Sequence, residues 1–266
     1  MPKQKGYIKL KGTMDELTFY QSGGEHLVRG KGSLDKERIL KDPSFRRTRE
    51  NMSEFGGAAY VGSEFRKGLS SLIQKLGDGR VTGRITGIMR KINAAGSGRR
   101  GQRSFDMLAN KRHLVGFEFN RFQPLHTVLR KNFIAPEADA NRSVVTWTMP
   151  DFVIEEDMKV PEGATHFQLV LASTVLSDYE YHPTDLKYVA VEPDLTQLQA
   201  VAESDHFPTI GTLGGDVTLT LDLGLAEALP DTAALVNVVG VQYFQEADGV
   251  MYLLESEQTL KIASVL

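Results

Sequence analysis

The chain has 266 residues, 41% of them hydrophobic and 24% charged, with a net charge of −3 and no cysteine. That length buries a sizeable core, as one large domain or two modest ones, and the apolar content excludes a disordered chain. The lack of cysteine excludes disulfides, thiolate zinc sites, iron–sulfur clusters and cysteine nucleophiles.

The small net charge conceals an asymmetry. Residues 1–150 carry 28 Lys and Arg against 14 Asp and Glu, whereas residues 151–266 carry 3 against 20. The first stretch is +14 and the second −17. Such a split points to a polyanion partner or to a contact between opposite charges. That contact would lie within one chain, or between the basic half of one copy and the acidic half of the next.

The N-terminal stretch Met1–Gly12 is charged and has no apolar h-region. No signal peptide is expected. No apolar run reaches the length of a membrane span. Synthesis in the cytoplasm is the expectation, with the final location left open.

Residues 6–30 read as a small β element. Tyr7, Ile8 and Leu10 precede Gly12-Thr13, and Leu17-Thr18-Phe19-Tyr20 forms a strand-like run. Gln21 to Glu25 is a turn, and His26 to Arg29 returns. A hairpin alone is marginal in water. It must therefore pair with the C-terminal sheet or with the sheet of a neighbouring subunit, and Leu17, Phe19 and Tyr20 are the candidates for strand exchange in the second case. Lys31 to Lys41 is a charged connector.

Asp42-Pro43 predicts a helix start, with Asp as N-cap and Pro in the first turn. Phe45, Met52, Phe55 and Ala59 share one face, and Gly56-Gly57 predicts a kink or break. The pattern resumes through Val61, Phe65, Leu69, Leu72, Ile73 and Leu76, with Gly77 as stop. A further helix is predicted from Arg80 to Ala95, its apolar face made by Val81, Ile85, Ile88, Met89 and Ile92. Arg80, Arg84 and Lys91 form a stripe beside that face. Gly96 to Arg103 reads as a flexible cationic loop. The candidate surface for assembly or polyanion binding is Arg46, Arg47, Arg49, Arg80, Arg84, Lys91, Arg99, Arg100 and Arg103, since guanidinium forks suit phosphates and carboxylates.

Phe105 to Leu114 adds a helical turn, and strands are expected from Val115 onward. Val145, Trp147 and Met149 share a strand face. Phe167 to Leu171, Tyr188 to Val191 and Leu235 to Gln245 are further runs, with Asp248-Gly249 as a hairpin turn and Leu260 to Leu266 as a last strand. Val217, Leu219, Leu221 and Leu223 alternate with polar residues, the clearest period of two in the chain. The predicted fold is α+β: a basic N-terminal β-hairpin and helical region over 1–120, then an acidic antiparallel β-sandwich-like domain over 121–266.

No set of residues proposes chemistry. Gly96 to Gly101 matches G-x-G-x-x-G, but it follows a helix, whereas a dinucleotide fingerprint follows a strand and opens a helix. There is no P-loop and no nucleophile elbow. The histidines at 26, 113, 126, 166, 182 and 206 include no pair at metal-ligand spacing. Glu155-Glu156-Asp157 reads as a solvated turn. No catalytic residue, metal or cofactor is expected.

Several stretches resemble an uncharacterised family of Bacteroidetes proteins. They are Leu17 to Tyr20, Asp42 to Asn51 with Ser53 to Gly56, Arg100 to Arg103, Gly116 to Asn120, and Phe244 to Glu246. The resemblance implies a Bacteroidetes source and one co-evolved architecture, with no activity attached. The sequence thus leads to a non-enzymatic structural protein that forms a homo-oligomer such as a filament, tube or phage-like particle. Non-specific nucleic-acid binding through the Arg-rich half is the alternative.

Overall fold

The computed structural model describes residues 2–30, 36–254 and 258–266. Of the charged connector, residues 31–35 lie outside the described residues. The chain divides into two compact units, Met1–Arg49 and Glu50–Leu266.

In the first unit, β1 (Gly12–Met14), β2 (Leu17–Ser22) and β3 (Glu25–Gly30) form an antiparallel sheet in that order. Gly23 and Gly24, at φ 59° and 82°, make the tight turn between β2 and β3. Two consecutive positive φ values match the right-handed twist of a hairpin and favour glycine. Residues 2–4 run along β3, with Val28 N–H donating to Pro2 O at 2.9 Å. Helix α1 (Lys36–Lys41) precedes a single 3-10 turn at Pro43–Phe45. Asp42 caps that turn as its sequence predicts, accepting the Ser44 N–H at 2.9 Å.

Helix α2 (Arg46–Lys67) runs unbroken through Gly56-Gly57, where the sequence predicts a break. Gly57 is buried, and a Cβ on it would collide with the edge of the Tyr188 ring. The glycine admits a neighbour rather than ending the helix, and packing overrides its poor propensity. Helices α3 (Ser70–Leu76) and α4 (Val81–Ala95) follow, the first stopping at Gly77 and the second matching its predicted span. The segment Phe105 to Leu114 holds only a 3-10 turn at Lys111–His113. The residues after it do not form the expected strand. They track irregularly beside the C-terminal strand, with Gly116 and Phe119 N–H groups donating to Ile262 and Leu260 carbonyls.

The rest is strand-rich: α5 (Leu125–Val128), β4 (Glu137–Ala138), β5 (Val144–Met149), α6 (Ile154–Asp157), β6 (His166–Ser177), β7 (Tyr179–His182), β8 (Lys187–Ala190), β9 (Gln199–Glu203), β10 (Phe207–Pro208), β11 (Val217–Asp222), β12 (Ala233–Ala247), β13 (Val250–Leu253) and β14 (Thr259–Val265). The long pair β6–β12, in register from Ala233↔Ser177 to Phe244↔His166, centres a six-stranded sheet. β14 and β13 pair with β12, and β9 and β10 with β6. A three-stranded sheet has the order β11-β5-β4, and β7 pairs with β8. Every pairing is antiparallel.

Both faces of the β6–β12 pair are covered. Val170, Ala172, Leu176, Ala234, Val236 and Val238 share a core with Val61, Phe65, Ile85 and Met89 of the helices. Phe167, Leu169, Leu171, Leu235, Val239 and Val241 share another with Val145, Trp147, Met149, Leu219 and Leu221. The order is helices, large sheet, small sheet, an α+β arrangement as predicted. Two buried faces explain why β6 and β12 are nearly continuous apolar runs. β5 and β11 cover one face only, so they alternate, and their outer faces pair Thr148 with Thr218 at 2.9 Å. The helices belong to the same core as the sheets. The boundary between units therefore falls after Arg49, not near residue 120.

Candidate functional site

The strand-exchange candidates sit in β2. Directly opposed residues share a sheet face. Leu17 lies opposite Met14 and Gly30, and Phe19 opposite Gly12 and Val28. Met14, Leu17, Phe19 and Val28 thus make one apolar face, and Tyr20 points to the other, where Arg29 lies 5.4 Å from its ring centre. β2 is the central strand, hydrogen-bonded to β1 on one side and β3 on the other. What Leu17 and Phe19 offer a partner is therefore a face, not the free strand edge the sequence suggested. Met14 is 59% exposed and Leu17 46%. No described residue of the first unit is buried.

The nine cations do not share one role: three belong to the first unit and six to the second. Arg46 and Arg47 are exposed at the start of α2. Arg49 donates to the Ile39 and Asp42 carbonyls at 2.7 and 2.9 Å, tying α1 to the turn before α2. Arg84 is an internal brace: it meets Asp78 at 2.8 Å and the Phe119 carbonyl at 2.7 Å, and lies 4.7 Å from the Phe117 ring centre. Burial pushes the Asp78 carboxyl up, but the Arg121 and Arg80 amides and the Arg84 charge hold it below its ordinary value. Arg80 and Lys91 are exposed on α4 and just before it.

Gly96 to Arg103 is pinned rather than flexible. Gly101 N–H donates to Glu54 at 2.8 Å, and the Ser53 hydroxyl donates to Gly101 O at 2.6 Å. Arg103 approaches Glu54 at 3.6 Å. Arg100 lies 4.0 Å from Glu50 and donates to Asn51 Oδ1 at 2.8 Å. From the far side, Asn93 Nδ2 donates to Arg103 O at 2.6 Å. Arg99 stays within the loop, donating to Gln102 at 2.7 Å. Gly101 is buried against Glu50 at φ 91°, where a side chain would be both strained and crowded. The loop and the first turns of the second unit's helix thus form a clasp. Its signal in the sequence is a set of acids and hydrogen-bonding residues, Glu50, Asn51, Ser53 and Glu54, facing Arg100 and Arg103 about 50 residues on.

A cavity of about 580 Å³ opens between α2 and the β7–β8 hairpin, lined by Met52, Gly56, Tyr60, Tyr181, Leu186 and Tyr188 among others. The Tyr188 hydroxyl is buried, and burial raises its pKa against the opposing effect of the Asn93 side chain. Among the described residues no cluster of three or more His, Asp or Glu side chains could hold a metal ion. No described helix is long and apolar enough to cross a membrane. Comparison with protein-family models, with curated proteins and with solved structures finds no match in any of the three. The resemblance to a Bacteroidetes family therefore rests on the quoted stretches alone.

Proposed function

We propose that the protein is a non-enzymatic structural subunit that assembles with copies of itself, and that its first unit is the assembly arm. One observation carries this reading: no described residue of Met1–Arg49 is buried, although Met14, Leu17, Phe19 and Val28 make an apolar face. Covering an apolar sheet face is favourable, because it removes apolar surface from water. A second copy supplies that cover without any further component.

Charge supports the choice of partner. The first unit carries 12 Lys and Arg against 6 Asp and Glu, and the second 19 against 28, so an arm of +6 meets a body of −9. Opposite fields speed encounter and fix orientation. An arm docking on the next body is a heterologous contact, which builds a ring where the rotation closes and a filament or tube where it does not. Non-specific nucleic-acid binding has less support, because Arg84, Arg100 and Arg103 lie beside the carboxylates of Asp78, Glu50 and Glu54.

The variant M14E/L17E tests the arm. Both side chains are well exposed, so the sheet tolerates the change while its apolar face is lost. Light scattering after size exclusion is expected to find oligomers for the native chain and monomers for the variant. An unchanged mass would contradict the arm.

A further inference from the structure

We propose that a pocket formed by α5, residues 130–135 and β14 binds a small amphiphilic oxyanion, a carboxylate or phosphate head on a short apolar body. The pocket measures about 400 Å³. That is the lower part of the range of small-molecule sites. The assembly reading makes no use of it.

Its walls are of two kinds. Leu125, Leu129, Phe133, Ala135 and Ala263 give the apolar surface, with Leu125 and Leu129 fully buried. His126, Arg130, Lys131 and Lys261 give the polar rim, together with Asn132. No Asp or Glu lines the pocket among the described residues. Two of the rim residues meet the Glu118 carboxylate, whose Oε1 lies 3.8 Å from His126 Nδ1 and 3.9 Å from Lys261 Nζ. Its other oxygen accepts the Leu125 N–H at 3.1 Å. Glu118 thus holds His126 and Lys261 side by side at the mouth.

The charge here runs against its surroundings. Lys261 is one of only 3 Lys and Arg after residue 150. It lines the pocket together with Arg130 and Lys131, so three permanent cations share a pocket in a unit whose net charge is negative. Arg130 is anchored by its own N–H to Asp157 O at 2.7 Å and by Nη1 to Glu156 O at 3.3 Å. Its remaining donors keep a fork suited to an oxyanion. An inorganic ion would leave the accessible Phe133, Ala135 and Ala263 surface wet, whereas a short apolar body would cover it.

The fold also supplies a reporter. Phe133 packs edge-on against Trp147 with ring centres 5.4 Å apart, and Trp147 is the chain's one tryptophan. The test titrates the full chain with hexanoate, hexyl phosphate, hexanol and inorganic phosphate, by calorimetry and by Trp147 fluorescence. Saturable one-to-one binding of hexanoate or hexyl phosphate is expected, and the tighter of the two identifies the head group. Hexanol is expected not to bind, and inorganic phosphate to bind at least about tenfold more weakly, since the apolar wall then contributes nothing. K131Q/K261Q should weaken the anion by about tenfold or more, through loss of charge-assisted hydrogen bonds. If that variant melts early through loss of the Glu118 pair, R130Q replaces it. No binding of either anion, equal binding of hexanol, equal binding of inorganic phosphate, or indifference to both variants would overturn the proposal.

Discussion

Gly56 and Gly57 are adjacent in α2 and have opposite roles. A Cβ on Gly56 meets open space, whereas one on Gly57 collides with the Tyr188 ring. Gly56→Ala should therefore stabilise the chain by about 0.5–1 kcal/mol through helix propensity. Gly57→Ala should destabilise it by about 1–3 kcal/mol through overpacking. Chemical denaturation of both variants checks the pair, and equal signs would contradict the packing. The sequence shows two glycines and so predicts a break. It cannot show that a tyrosine more than a hundred residues later needs the space. Asp178 gives a second residue-scale test. Burial, with the Asp106 and Glu180 charges and against the Met107 N–H, raises its carboxyl from 3.8 to about 6. A raised folded pKa means that the folded chain takes up the proton first. The contribution to stability is complete below about pH 3.8 and is lost as pH rises through about 6. Asp178→Asn, neutral throughout, should be more stable than the native chain at pH 8 by on the order of 1 kcal/mol, a figure reduced for partial exposure. The two should converge near pH 4. Urea midpoints at both pH values measure this, and a pH-independent difference would contradict it.

Among the elements, those with one wet face were the most legible. β11 alternates because Thr218 and Thr220 face out while Leu219 and Leu221 face in. The β2–β3 hairpin is announced by its glycine turn, and α4 by an apolar stripe that packs as read. β6 and β12 are visible as apolar runs, yet nothing local says that helices cover one face and a second sheet the other. The order of the Gly/Arg loop is hidden in the sequence for a related reason. Its composition is that of a flexible segment, and its order comes from Glu50, Ser53 and Glu54 on a distant stretch of helix. Glu54→Ala removes both the Gly101 acceptor and the Arg103 partner. The expected cost is about 1–3 kcal/mol, the price of an orphaned buried N–H with a lost ion pair. Hydrogen exchange should speed up from Ser97 to Arg103 while the β6–β12 amides stay protected. Unchanged exchange in the loop would show that the clasp does not order it. Reversing Arg100 and Arg103 to Glu would break the same clasp, so reduced association in such a variant would not by itself locate an interface.

At the scale of the whole molecule, charge asymmetry was readable from composition, but its division was not. The sequence placed a boundary near residue 120, where helical periodicity gives way to strands. Packing places it after Arg49, because the helices cover the large sheet. The result is a small basic unit with no buried residue among those described and a large acidic one with two cores. The proposed assembly follows from that contrast and predicts a salt dependence, since exposed complementary charges are screened within about 10 Å at moderate ionic strength. Negative-stain electron microscopy of nuclease-treated protein at low and high salt tests it most directly. Rings, tubes or filaments at low salt that shorten or disperse at high salt are the predicted result. Uniform monomers under both conditions would contradict the account.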